Sequence, residues 1–208
     1  MFRRISKLSF FLQFLIYLGL LALLWIPAMV NPAAISHLSS EGPLYSWIAL
    51  LLTTHNYLSE SLALILVIGL SLILYFIGTN NDILPRENFI PAIIYAFLLS
   101  WNPGLTLMNP ILPAALLLSL SIATLMRLYG QPDPFRQVFM VAVYIGLASL
   151  FYLPSMYFMF MVWISLVTYR VTGWREWFIA LIGFFGACSY IFLVGDVVRV
   201  KSKTAINE

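Results

Sequence analysis

Charge is what this chain has least of. Its 208 residues include 11 Lys and Arg and 8 Asp and Glu, together 9%, where a soluble domain carries roughly 25%. That scarcity excludes an ordinary water-soluble globule. Cysteine occurs once, as Cys188 inside an apolar stretch. It has no partner for an intramolecular disulfide, leaves the redox compartment undetermined, and reads as a small packing residue. With only two histidines and no recognised ligand spacing, a metal site is not expected. Nucleotide-binding glycine loops and nucleophile elbows are also missing, so no cofactor is expected. The net charge of +3 and pI near 9.1 do not indicate nucleic acid, because the basic residues stand singly at the ends of apolar runs, where orientation signals belong.

What is present is hydrophobicity, at 62% of residues. Seven spans of roughly 20 residues would occupy about 140 positions, which leaves short connections and no large extramembrane domain. The expectation is an all-α polytopic helical membrane bundle, one integral membrane domain over residues 1–208. It has about seven transmembrane helices and one outer interfacial helix.

Arg3, Arg4 and Lys7 precede an uncharged run from Leu8 to Val30, too long for a signal-peptide core and without a small-residue cleavage site. This is a retained first span, residues 9–29, with its amino end inside. Asn31 to Glu60 contains no Lys or Arg, as an outer loop should; within it Tyr45 to Leu52 is apolar but too short to cross and suits an interfacial helix. Further spans are expected at 61–78, 89–101, 111–126, 138–153, 155–169 and 177–195. The last division rests on Gln137 to Tyr169, 33 residues without charge. As one helix this stretch would be roughly 50 Å long against a hydrocarbon core of about 30 Å. A hairpin broken at Leu153-Pro154-Ser155 returns Arg136 and Arg170 to the inside. Eight of the basic residues then lie inside, and Arg199, Lys201 and Lys203 of the tail lie outside.

Candidate chemistry concentrates between the first two spans, where His37, Glu41, His55 and Glu60 fall within 24 residues. Glu41, the one carboxylate between the first span and the interfacial segment, is the candidate catalytic base. Ser59-Glu60 reads as ordinary helix-start chemistry. His37 and His55, with Asn102 and Asn109 of the outer Asn-Pro turns, are candidate substrate-binding residues, although Asn-Pro is first of all turn punctuation. Trp25, Trp101, Trp174 and Trp177 read as interfacial belt residues, and Arg127, Asp133, Arg136, Arg170 and Arg175 as an inner rim that sets topology and meets anionic lipid. No charge falls at the centre of a span and no duplicated half is visible, which argues against ion-coupled transport.

Two stretches carry a resemblance. Asn88-Phe-Ile-Pro-Ala-Ile-Ile-Tyr95, and Ile145-Gly-Leu-Ala-Ser-Leu-Phe-Tyr-Leu-Pro154 followed by Thr172-Gly-Trp-Arg-Glu-Trp-Phe-Ile-Ala-Leu-Ile-Gly183, resemble an uncharacterised family of polytopic inner-membrane proteins of Bacteroidetes. That resemblance implies a multi-pass protein of the bacterial cytoplasmic membrane and supplies no activity; family members run longer at the carboxyl end. More distantly, the order of features is similar to the membrane core of polyprenol-phosphate-sugar-dependent, GT-C type glycosyltransferases, with Glu41 near the place of their acidic residue and Gly146 to Pro154 near their hairpin. The acidic or aromatic partners usual in that loop are absent, and no sugar-binding domain follows. The functional expectation is therefore an accessory or structural component of a cell-envelope assembly, with membrane lipid and envelope proteins as partners. A lipid-linked glycosyl-transfer enzyme or its inactive remnant is the alternative, and a small-solute transporter stands third.

The expected orientation has a direct test. In a background without Cys188, a cysteine replacing Ser39 is expected to react with a membrane-impermeant thiol reagent once the outer envelope is permeabilised. Labelling that requires breaching the cytoplasmic membrane would reverse the assignment.

Overall fold

The structure, a computed structural model, describes residues 10–30, 42–52, 56–80, 89–101, 108–128, 134–169 and 173–189. Among these the chain is all-α. Eight helices follow in order: α1 (Phe10–Val30), α2 (Pro43–Leu52), α3 (Asn56–Asn80), α4 (Ile90–Ser100), α5 (Ile111–Met126), α6 (Phe135–Phe151), α7 (Met159–Thr168) and α8 (residues 174–189). A 3-10 segment, Leu153–Phe158, joins α6 to α7. Among the described residues one stretch, Leu58–Asn80 of α3, is long and apolar enough to cross a membrane; the other apolar helices are shorter.

The charge-free stretch from Gln137 to Tyr169 is broken where Pro154 stands. Helix α6 ends at Phe151, Tyr152 turns extended at φ −140°, ψ 106°, and the chain resumes as the 3-10 segment with proline in its first turn, where the missing N–H costs nothing. The direction then reverses. Trp163 of α7 stacks on Trp177 near the start of α8, with ring centroids 6.3 Å apart. Met159, Val162 and Leu166 return to the core that Val138, Val141 and Ile145 line.

Side-chain pairs establish how the helices run. Trp25 Nε1 donates to Ser100 Oγ at 3.0 Å, and Gln13 Oε1 accepts the Phe89 N–H at 2.8 Å, so α1 and α4 are parallel. Ser71 gives its hydroxyl proton to Ile68 O at 2.8 Å and receives that of Tyr17 at 2.6 Å; one turn further along α3 Tyr75 meets the Phe89 ring, which also meets Phe14, one turn back along α1, so α3 runs against α1. Trp25 is therefore not a belt residue: it is 1% exposed, with its indole N–H satisfied inside the bundle. Trp101 and Trp174 are exposed as expected.

Two cores result. Tyr17, Leu21, Val67, Leu70, Phe89, Ala92 and Leu112 form the first, from α1, α3, α4 and the start of α5. The second joins Leu125 at the end of α5 to α6, α7 and Ala180 of α8. Around both, large apolar side chains face outward: Phe11, Leu23, Ile65, Leu98, Ile164, Ile182 and Phe185 are each more than half exposed. Helix α5 carries no exposed large hydrophobic residue and lies between the two cores.

Helices α6 and α8 meet backbone to backbone. The small residues Ala142 and Gly146 of α6 face Gly183 and Ala187 of α8, both pairs at i, i+4 spacing, the arrangement by which helices approach closely in an apolar medium. A methyl group on Gly146 would stand 2.9 Å from Phe184 O and from Ala187 Cβ, and one on Gly183 would stand 2.9 Å from Phe139 O. One helix must therefore retreat. Gly146→Ala and Gly183→Ala are each expected to destabilise the folded state by about 1–3 kcal/mol. Gly186→Ala, where nothing lies within 4 Å of the added methyl, should be neutral or stabilise by up to about 1 kcal/mol through helix propensity. Reversible unfolding in mixed detergent micelles measures all three.

Candidate functional site

The most unusual polar group is at the end of the bundle where α3 and α5 begin and α6 stops. Gly42 starts the assembly. Its N–H donates to Phe151 O at 2.9 Å, and its backbone lies so close to α6 that any side chain would overlap the Leu150 carbonyl. Pro43 then opens α2, supplying a preset φ where the helix needs no N–H. Helix α2 lies back against α3 and α6 rather than out in solvent, with Tyr45 and Ala49 buried beside Met108.

Met108 is held through both its backbone groups. Its carbonyl accepts the Tyr45 hydroxyl at 2.5 Å, and its N–H donates to Ser59 Oγ at 3.1 Å. The next residue, Asn109, uses its side-chain Oδ1 to accept the Ile111 N–H at 3.1 Å while its carbonyl accepts Leu112 N–H at 3.0 Å. Asn109 thus serves the first turn of α5, the capping use that Asn before a helix favours.

Glu60 sits one turn inside α3. It is 1% exposed, and neither carboxylate oxygen has a hydrogen-bond partner among the described residues. Buried side-chain polar atoms are paired in the large majority of cases, so among the described residues this carboxyl group is an exception. The sequence reading of Ser59-Glu60 as helix-start chemistry is corrected: α3 begins at Asn56, Ser59 bonds to a different segment, and Glu60 caps nothing. Ser155 Oγ is also buried without a partner. Among the described residues no three His, Cys, Asp or Glu side chains come together.

Of the residues singled out from sequence, Glu41, His37, His55 and Asn102 lie outside the described residues, and Asn109 lies at the α5 start as above. One residue that matters is missed and one misread. Gln13 is the one amide in an otherwise apolar run, a signal the sequence carries; it is fully buried and accepts the Phe89 N–H at the start of α4. Ser59, read as helix-start chemistry, instead accepts the Met108 N–H from a different segment.

Because Ser59 Oγ is the acceptor for the Met108 N–H, Ser59→Ala leaves that buried donor unpaired. A loss of about 1–3 kcal/mol is expected, with Ser61→Ala, whose hydroxyl bonds only to Leu58 O at an exposed position, as the neutral comparison; unfolding in detergent reads both. No protein-family model, curated protein or solved structure matches the chain.

Proposed function

We propose that the chain is a multi-pass protein of the bacterial cytoplasmic membrane, with α1 and α3 to α8 as seven crossings, α2 along the outer surface and the amino terminus cytoplasmic. In that setting it acts as an accessory or structural component of a cell-envelope assembly, with lipid and envelope proteins as partners. The observation that carries this reading is the inverted distribution of polarity. Large apolar side chains face outward, while Gln13, Tyr17, Trp25, Ser59, Ser71 and Ser100 are buried and bonded between segments. Exposed apolar surface on that scale suits lipid or protein, not water.

Several helices are shorter than a bilayer. Helix α6, with 17 residues, rises about 25 Å against a hydrocarbon core of about 30 Å, a gap that flanking turns and local thinning cover. Helix α4, with 11 residues, needs its flanking segments to complete a crossing. The charges agree with the orientation. Arg127, Arg136 and Arg175 all belong to one end of the bundle, where α5 stops and α6 and α8 start, while Glu60 belongs to the other.

One observation favours a second reading, an outer-face enzyme on lipid-linked substrate or its inactive remnant. The described part of the outer loop folds back on the bundle, Gly42, next in sequence to the candidate base Glu41, is pinned to α6, and Glu60 near the start of α3 is buried without a partner among the described residues. Complementation of a deletion strain at matched membrane abundance separates the two. For the scaffold, Glu41→Gln and Glu60→Gln both rescue fully, and crosslinking in mild detergent captures an envelope protein. For general acid–base chemistry, activity falls by roughly 10² or more in at least one of them, and loss of rescue in a protein that still inserts would displace the scaffold reading.

A further inference from the structure

At the opposite end from Glu60, the last two turns of α3 and α5 line a cavity of about 500 Å³. Its walls are two helical stripes. Ile73, Phe76 and Ile77 continue at i, i+3, i+4 spacing to Asn80 on α3, and Leu120 and Ala123 lead to Arg127 on α5. The two helices run parallel here, as Ser59 beside Met108, Gly69 beside Leu116 and Asn80 beside Arg127 establish in succession. Both stripes therefore change from apolar to polar at the same level. The result is a slot about 10 Å deep along the helix axis, greasy along its length, with an amide and a guanidinium at its mouth. Ala123 provides much of the room, being the smallest side chain in the lining.

Arg127 and Asn80 are exposed, and among the described residues Arg127 has no carboxylate partner. The described carboxylates are Glu60, at the far end, and Glu176, on α8. An exposed guanidinium without a carboxylate partner among the described residues, above an apolar slot, matches an oxyanion attached to a hydrocarbon chain, because its planar fork binds phosphate oxygens through paired hydrogen bonds. Pocket size is in the range of small-ligand sites. A free phosphate would leave the slot empty, and a fatty tail without a phosphate would leave Arg127 unmatched.

We propose that this slot is a binding site for a membrane glycerophospholipid, with its phosphate on Arg127 and Asn80 and the upper part of one acyl chain between α3 and α5. The proposal rests on the membrane reading above and adds to it a particular lipid site, distinct from the general attraction of inner-rim arginines for anionic lipid. Glycerophospholipid is the occupant favoured because the mouth lies at the end where the described arginines gather, the level of inner-leaflet headgroups on that reading.

Alkaline carbonate extraction of membranes comes first: release of the full-length protein into the soluble fraction would defeat the membrane reading itself. With the protein retained in the membrane, the detergent-purified chain is titrated with dioleoyl phosphatidylglycerol and bound lipid is counted by native mass spectrometry. The wild type is expected to hold one lipid tightly. Arg127→Gln should bind it about tenfold more weakly, the effect of one lost charge-assisted contact, and Ala123→Leu should weaken it comparably by filling the slot. Arg136→Gln, an exposed arginine at the same end that does not line the cavity, should bind as the wild type does. Dioleoylglycerol, which lacks the phosphate, should fail to compete. Equal binding by Arg127→Gln and wild type, an equal loss in Arg136→Gln, or competition by dioleoylglycerol would each overturn the proposal. So would preferential displacement by a polyprenyl monophosphate, which would assign the slot to a different lipid. Arg127 is exposed and outside both cores, so Arg127→Gln keeps the test independent of whether Ala123→Leu folds.

Discussion

The packing of α5 on both its sides is the constraint from which the rest of the molecule follows. Leu112, near its start, belongs to the core shared with α1, α3 and α4, whereas Leu125, near its end, belongs to the core of α6, α7 and α8. Tilting α5 would open one core while crowding the other. Its entry is fixed by Tyr45 and Ser59, which hold the two backbone groups of Met108, and by Asn109 in the first turn. The cluster around Met108 and the slot beside Arg127 are thus two consequences of one helix: at its start α5 buries the polar segment around Met108 against α3, and at its end the same two helices line the slot.

Steric contact and hydrogen bonding divide the work between the two cores. In the first, rings of Tyr17, Tyr75 and Phe89 meet at 4.9–5.3 Å, and single polar pairs link α1 to α3 and α4. In an apolar medium such interhelical bonds average about 0.6 kcal/mol, too little to drive assembly but enough to fix rotation, since each side chain left unpaired would be costly. In the second, the Gly146 and Gly183 contacts allow almost no adjustment, because the opposing atoms are carbonyl oxygens of a helix backbone. Register is set by bonds on one side of α5 and by shape on the other.

The two ends differ in kind. One carries a buried carboxyl group with no partner among the described residues, a costly arrangement. The other carries exposed arginine over an apolar slot, an arrangement without desolvation cost until a ligand arrives. The proposed scaffold role and the proposed lipid site at the arginine-bearing end are compatible, since a lipid wedged between α3 and α5 would brace the helix on which both cores depend.

Helical class was legible in the residues themselves, because scarcity of charge and long apolar runs leave the backbone no partner but itself. The break near Pro154 was equally legible, as a missing N–H is a local property. Helix ends were less so. Helix α3 starts five residues before the expected boundary at 61, at Asn56, because Ser59 and Glu60 turn inward within the helix rather than stop it. Trp25 was assigned to a belt and Glu60 to a helix start by residue type alone, yet each faces its neighbours inside. Which side of a helix is inward depends on what packs there, and on helices apolar all round no periodicity announces it. The Gly42 contact with α6, the two-sided burial of α5 and the meeting of Asn80 and Arg127 at one cavity join residues far apart in the chain. Only the tertiary structure decides such pairings, because their energy exists only once the helices have met.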